Sequence, residues 1–344
     1  MGCIHNHLIP LMRRIALAVA AAVTALTAAA QTDAQLSQYY EVQNYYNPSA
    51  IGLTDFIRIR GGSRLQWVGV DNAPTTFLAA GDMPVKLGKR RIGVGLVLES
   101  GSEGLFRNLS IDAQGAWKQP LLKGMLSIGF AVGYRQEQFK GTEVILPDDD
   151  DYHEGTDNGI PTSDVSGSGL NLALGIHYTH RLFWAGVSCN HINQPTIKFA
   201  GGEGSTTGSG SSTDSDGAVK NFEFQAKRTL YFMAGSNITI KNTLFEVMPS
   251  MMVKTDFTFS RVELNARVRY NKFLSAGIGY RLNDAVIFTL AADIKNFYLG
   301  YSYDYSTSAI AKASSGSHEI FAGYSLKLDF SEKNRNRHKS IRIM

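Results

Sequence analysis

From residue 297 the chain reads Phe-Tyr-Leu-Gly-Tyr-Ser-Tyr-Asp-Tyr. Phe297, Leu299, Tyr301, Tyr303 and Tyr305 are large and apolar or aromatic, whereas Gly300, Ser302 and Asp304 between them are small or polar. A period of two marks a strand with one apolar and one wet face. The pattern recurs in Ile92 to Leu98, Leu126 to Tyr134, Leu170 to Tyr178, Val262 to Tyr270 and Ile320 to Phe330. Its second face carries Arg135, His177, Glu263, Arg267 and Arg269. A charge facing lipid at the bilayer midplane costs about 2–4 kcal/mol, so these side chains need a polar lumen. In lipid every backbone N–H and C=O must be paired internally, which leaves a β chain only the closed barrel. The expected fold is all-β, a transmembrane antiparallel barrel of the outer-membrane type. About 14 strands are expected between Asp55 and Phe330.

The N-terminus agrees with that compartment. A basic stretch ends at Arg13 and Arg14, an apolar run spans Ile15 to Leu26, and Ala28-Ala29-Ala30 precedes Gln31. This order predicts a secretion signal over 1–30, cleaved after Ala30. The apolar run is short for a bilayer span. Cys3 leaves with the signal, so Cys189 stays as the one cysteine and forms no internal disulfide. The rest divides into a periplasmic or lumenal segment over 31–54, the barrel over 55–330 and a basic periplasmic tail over 331–344. No later apolar run approaches the length of a membrane helix. A net charge of +4 gives no argument for nucleic acid. A pair of soluble β domains would suit the length equally well.

Charge placement argues against the soluble alternative. If the first strand runs outward, the even connections are short. They fall near Lys86 to Arg91, Pro120 to Gly124, His180 to Leu182, Ile240 to Thr243, Tyr270 to Phe273 and Asp293 to Asn296. Both long segments, Lys140 to Ser166 and Ile192 to Lys220, fall in the odd set. Short periplasmic turns and long external loops are the asymmetry of such barrels. The short turns and the tail carry lysine and arginine, and the long segments carry Asp148 to Asp151, Glu154, Asp157, Asp164, Glu203, Asp214 and Asp216. Soluble domains have no reason to sort charge by connection parity.

The sequence offers no catalytic, cofactor-binding or metal-binding motif. The acidic run from Asp148 to Asp157 has oxygen ligands of the kind calcium takes, but not the spacing of a dedicated loop. Adjacent carboxylates favour a solvated loop. Gly201 to Gly217 is Gly/Ser/Thr-rich and too polar to pack. Arg261, Glu263, Arg267 and Arg269 could select an anionic solute in an open pore, or pair with other charges on a lumen wall. His177 stands alone on the inner face. A hydrolase would need a serine–histidine pair held by a third group.

The start of the mature chain, Gln35-Leu-Ser-Gln-Tyr-Tyr and then Tyr45-Tyr-Asn-Pro-Ser-Ala-Ile-Gly52, resembles the N-terminal signature of the PorP/SprF family. Arg64-Leu-Gln-Trp-Val-Gly69, Pro74-Thr-Thr-Phe77, Gly300-Tyr-Ser-Tyr-Asp-Tyr305, Gly316-Ser-His-Glu-Ile320 and the basic ending Lys339-Ser-Ile-Arg continue the resemblance. It implies a membrane protein of the Bacteroidetes type IX secretion and gliding machinery. Such a barrel would bind and retain, or help export, a secreted adhesin-like surface protein with a C-terminal sorting domain. Its partners would be outer-membrane lipid, that cargo and periplasmic components of the system. The residues that carry the pattern, in a structural or partner-binding role, are Gln38, Tyr39, Asn47, Pro48, Gln66, Trp67, Pro74, Tyr301, Tyr303, Asp304, His318 and Glu319. Asn47-Pro48 reads as a turn before the first strand. Trp67 suits an interfacial aromatic girdle. Asp304 and His318, flanking one connection, are expected to bond to each other. A passive porin or solute channel is the alternative. A lumen plugged by residues 31–54 favours partner binding, and an open lumen lined by Arg261, Arg267 and Arg269 favours a channel.

Overall fold

The computed structural model describes residues 33–88, 90–144, 163–199 and 223–328. The expected signal, the tail, Lys89, the acidic run 148–157 and the stretch 201–217 lie outside them. The strands in chain order are β1 (Phe56–Leu65), β2 (Thr75–Leu87), β3 (Arg90–Glu103), β4 (Phe106–Leu121), β5 (Gly124–Phe139), β6 (Val165–Thr179) and β7 (Phe183–Asn190). There follow β8 (Thr196–Lys198), β9 (Glu223–Gln225), β10 (Thr229–Ser236), β11 (Ile238–Thr239), β12 (Phe245–Thr255) and β13 (Ser260–Tyr270). The last are β14 (Leu274–Arg281), β15 (Ala285–Ile294), β16 (Phe297–Ser306) and β17 (Ser317–Lys327). Fourteen of these form one closed antiparallel barrel, in which each strand pairs with its barrel neighbours, β10 pairs with both β7 and β12, and β1 pairs with β17. The exceptions are β8 and β9, which pair only with each other, and β11, which pairs only with β12.

The two faces follow the alternation. Phe130 is 54% exposed, Leu174 55% and Leu299 54%, and Ile128, Val268 and Tyr301 share that outer face. Arg135, His177, Glu263 and Arg281 are buried on the inner face. Arg267 faces inward against Tyr40, and Lys327 reaches the exposed rim on the inward parity of β17. Leu172 and Tyr324 face outward but are half-buried. Asn193 covers the first, bonding the backbone of Leu170 and Leu172, and Phe297 covers the second, at 4.9 Å between ring centroids. The last strand stops at Lys327, earlier than the alternation to Phe330 suggested. Beyond it the Leu328 N–H donates to the Asp55 carbonyl.

Local chemistry sets the turns. The β4–β5 connection is Leu122-Lys123, with φ of 45° and 64°. Positive φ at both central residues is the turn whose twist matches a two-residue hairpin. Asn271, Lys272 and Asn283 also have positive φ. The connections β2–β3, β4–β5, β6–β7, β10–β12, β13–β14 and β15–β16 lie at one end of the barrel and are short. At that end Lys86, Arg90, Arg91, Lys123, Arg181, Lys241, Lys272 and Lys295 are exposed. Both long connections, 140–164 and 191–228, leave from the other end.

Candidate functional site: the filled lumen

The chain before β1 lies inside the barrel. Residues 33–52 hold one short helix, α1 (Gln43–Tyr46), and almost all are buried. A segment this polar can be buried only if its backbone and side chains find partners, and the inward faces supply them around the whole wall. Asn44 O accepts from Gln114 on β4, and Ser49 O accepts from Ser127 on β5. The Asn47 amide donates to the carbonyls of Ile176 on β6 (3.2 Å) and Val187 on β7 (3.4 Å), and its Oδ1 accepts from Ser49 N–H. Tyr46 O accepts from Ser188 on β7, Tyr39 donates to Ser250 on β12, and Gly52 N–H donates to Asp82 on β2.

Part of this contact needs glycine. A Cβ on Gly129 would run into the backbone of Pro48 and Ser49, and one on Gly93 would lie 2.6 Å from the Ile51 carbonyl oxygen. Only a bare backbone lets residues 48–51 approach β3 and β5 this closely.

The opposite wall holds residues 33–41 by charge. Arg64 on β1 donates to Asp304 on β16 at 2.7 Å and to Glu319 on β17 at 3.2 Å. Arg281 on β14 bonds Glu263 on β13 at 2.8 Å and Asp304 at 3.1 Å. The plug enters this network at Ser37. Its hydroxyl bonds Asp304, Arg64 and Arg281, and the Glu319 carboxylate accepts from the N–H groups of both Ser37 and Gln38 at 2.8 Å. A second cluster surrounds Asp33, whose carboxylate accepts from Tyr231 on β10 and lies 2.7 Å from His191 Nε2 and 3.5 Å from Arg135. Lys254 on β12 donates to the Asp33 carbonyl. Buried charges are costly unless paired; most of these ion pairs join wall residues to one another, and the plug adds Asp33 and Glu41 together with the hydrogen bonds of Ser37 and Gln38.

The motif residues divide in consequence. Gln38, Asp304 and Glu319 meet in the Ser37 network, and Tyr298 donates to the Gln38 side chain. The two motifs around Arg64 and Glu319 are cross-strand neighbours, with Arg64 opposite Glu319 and Leu65 opposite His318. Gln66 N–H bonds the Pro74 carbonyl, and Trp67, at φ 50° in the turn beyond β1, donates its N–H to Ser317. Tyr39, Asn47 and Pro48 contact other parts of the wall.

One expected pair does not form. Asp304 is opposite Ser317 and points inward, whereas His318, opposite Tyr303, points outward and bonds the Tyr301 hydroxyl at 2.7 Å. Adjacent positions on paired strands face opposite sides of the sheet, so Asp304 and His318 cannot meet. Tyr303 donates to the Ser315 carbonyl.

The arginines of β13 are paired rather than lining an open pore. Arg261 bonds Asp284, Arg269 bonds Glu246, and Arg267 lies over Tyr40 and 3.7 Å from Glu41. His177 stacks on Trp184, 5.8 Å between centroids, and bonds Thr179. Ser37 lies in the Gln35-Leu-Ser-Gln-Tyr-Tyr motif without standing out in it, whereas Arg281 and Asp33 carry much of the network without belonging to any motif. Their only sequence signal was an inward position or a place just before the barrel.

Residues 28–324 match the profile of the type IX secretion system membrane protein family PorP/SprF. The chain belongs to that family. A closed barrel with an apolar outer face and a filled polar lumen is the form in which this PorP/SprF protein sits in the outer membrane. No curated protein matches the chain. Among solved structures it is similar to the toluene transporter TbuX of Ralstonia pickettii, with 12% identity, TM-score 0.49, and 82% of this chain and 92% of that one covered. It is also similar to a FadL homologue of Pseudomonas aeruginosa, with 8% identity, TM-score 0.47 and coverage of 82% and 93%. For Omp33 of Acinetobacter baumannii the values are 9%, 0.42, 80% and 100%. At such identities and scores these likenesses carry no argument about function.

Proposed function

We propose that the protein binds a secreted, adhesin-like surface protein at its external loops and retains it or assists its export, and that it does not pass solutes. The observation that carries this reading is the filled lumen. Residues 33–52 occupy it and bond to strands on every side. A route wide enough for general solutes would require breaking buried charge pairs. The family supports a role in type IX secretion. The long connections at the external end supply a private contact surface, since loops tolerate insertion better than strands do. Deleting the gene should lower surface display of one secreted protein while general secretion continues. Unchanged display of every surface protein would contradict the reading.

A further inference from the structure

At the short-turn end of the lumen lies a cavity of about 160 Å³, walled by Tyr40, Glu41, Trp184, Arg267, Asp293 and Tyr298. Its volume is comparable to that of an engineered cavity of about 150 Å³ that holds benzene. It therefore admits a ligand of about six heavy atoms.

Two of its charged groups are left incomplete by the protein. Arg60, Arg269 and Arg281 on the same lumen wall each donate hydrogen bonds to carboxylates. Arg267 makes none among the described residues. Its Nε is buried without a partner, and its closest carboxylate oxygen, on Glu41, is 3.7 Å away. The Asp293 carboxylate likewise forms no ion pair or hydrogen bond among the described residues. Glu41, Arg269, Arg60 and Arg267 are among the charges near it. Arg267 rises from β13 and Asp293 from β15, with β14 between them. Arg267 is opposite Gly277 and Gly277 is opposite Thr289, so Asp293 lies four positions further along β15, and the two groups flank the cavity rather than meet.

The sign of the lining selects the ligand. Glu41 and Asp293 oppose a lone anion, and Arg267 and Arg269 oppose a lone cation. One small molecule carrying both charges satisfies both incomplete groups, with an oxyanion on the guanidinium fork and an ammonium on the carboxylate. We propose that this cavity binds a zwitterion of the α-amino-acid class, its carboxylate on Arg267 and its ammonium on Asp293. Tyr40 and Glu41 belong to the plug, so the site exists only while the plug is seated. It does not depend on which secreted protein the barrel serves. The group can come from a free amino acid or from the end of a larger molecule.

Trp184 lines the cavity and reports on it once Trp67 and Trp117, the other tryptophans, are changed to phenylalanine. The full-length W67F/W117F protein is titrated in detergent with L-alanine and with Nε-acetyl-lysine, and its fluorescence is followed. Acetate, methylamine, N-acetylalanine and alaninamide each lack one of the two charges and serve as comparisons. Alanine should give a saturable change, and each single-charge compound should bind at least about tenfold more weakly. Binding of Nε-acetyl-lysine as well supports a group presented on a longer molecule, and binding of alanine alone supports a free amino acid. R267Q and D293N should each weaken alanine binding by a similar factor. The ligand series keeps the test valid if either variant fails to fold. Acetate or N-acetylalanine binding as tightly as alanine, or no saturable binding by either zwitterion, overturns the proposal.

Discussion

At the scale of single residues, the buried charges around Ser37 hold the plug to the wall. Arg64 serves Asp304 and Glu319 at once and is almost wholly covered. Removing it leaves buried carboxylates short of a cation, which costs about 3–5 kcal/mol. R64A should therefore lower the unfolding temperature in detergent strongly. R91A removes a partner of Asp55 from a pair about half exposed on both sides and should cost about 1 kcal/mol or less. Equal shifts in the two variants would show that the Ser37 network does not hold the fold. Glycine gives a second handle. Leucine at Gly129 would strike the backbone of Pro48, whereas at Gly61 an added Cβ meets nothing closer than 3.8 Å. G129L should form the barrel but expose residues 33–52 to protease, and G61A should leave them protected. Protection of the segment in G129L would contradict the close seat.

At the scale of elements, the strands were legible because a period of two is written into each one, as in β5 and β16. The connections were legible because short polar or Pro/Gly breaks, such as Pro120 to Gly124, interrupt the alternation, and Asn271 accepts the left-handed backbone a tight hairpin needs, whereas nothing in Leu122-Lys123 announces its positive φ. Residues 33–52 were not legible in the same way. They have no period, and their partners come from strands up to 282 positions away, as Ser37 to Glu319 does. The Asp304–His318 expectation failed because nearness across a connection was weighed without the register that sets each residue's face. The short pieces β8, β9 and β11 carry too few residues to show alternation. The two long connections carry a prediction of their own. Replacing 140–166 and 192–220 by short turns should spare barrel assembly, seen as unchanged heat-modifiable gel mobility, and abolish surface retention of one secreted protein. Full retention by the swapped protein would move the contact to the periplasmic end or the lumen.

At the scale of the whole molecule, the barrel is closed twice, once by the pairing of β1 with β17 and once by the plug within. The apolar outer face suits lipid, the short turns carry exposed basic groups, and the long loops leave from the other end. The most direct test is conductance in planar bilayers, comparing the full-length protein with a variant lacking residues 33–52 and confirmed as folded by its gel mobility. The full-length protein should show no large, stable conductance, and the deletion should open one. A large, stable conductance from the full-length protein would contradict the plugged barrel and restore the channel reading.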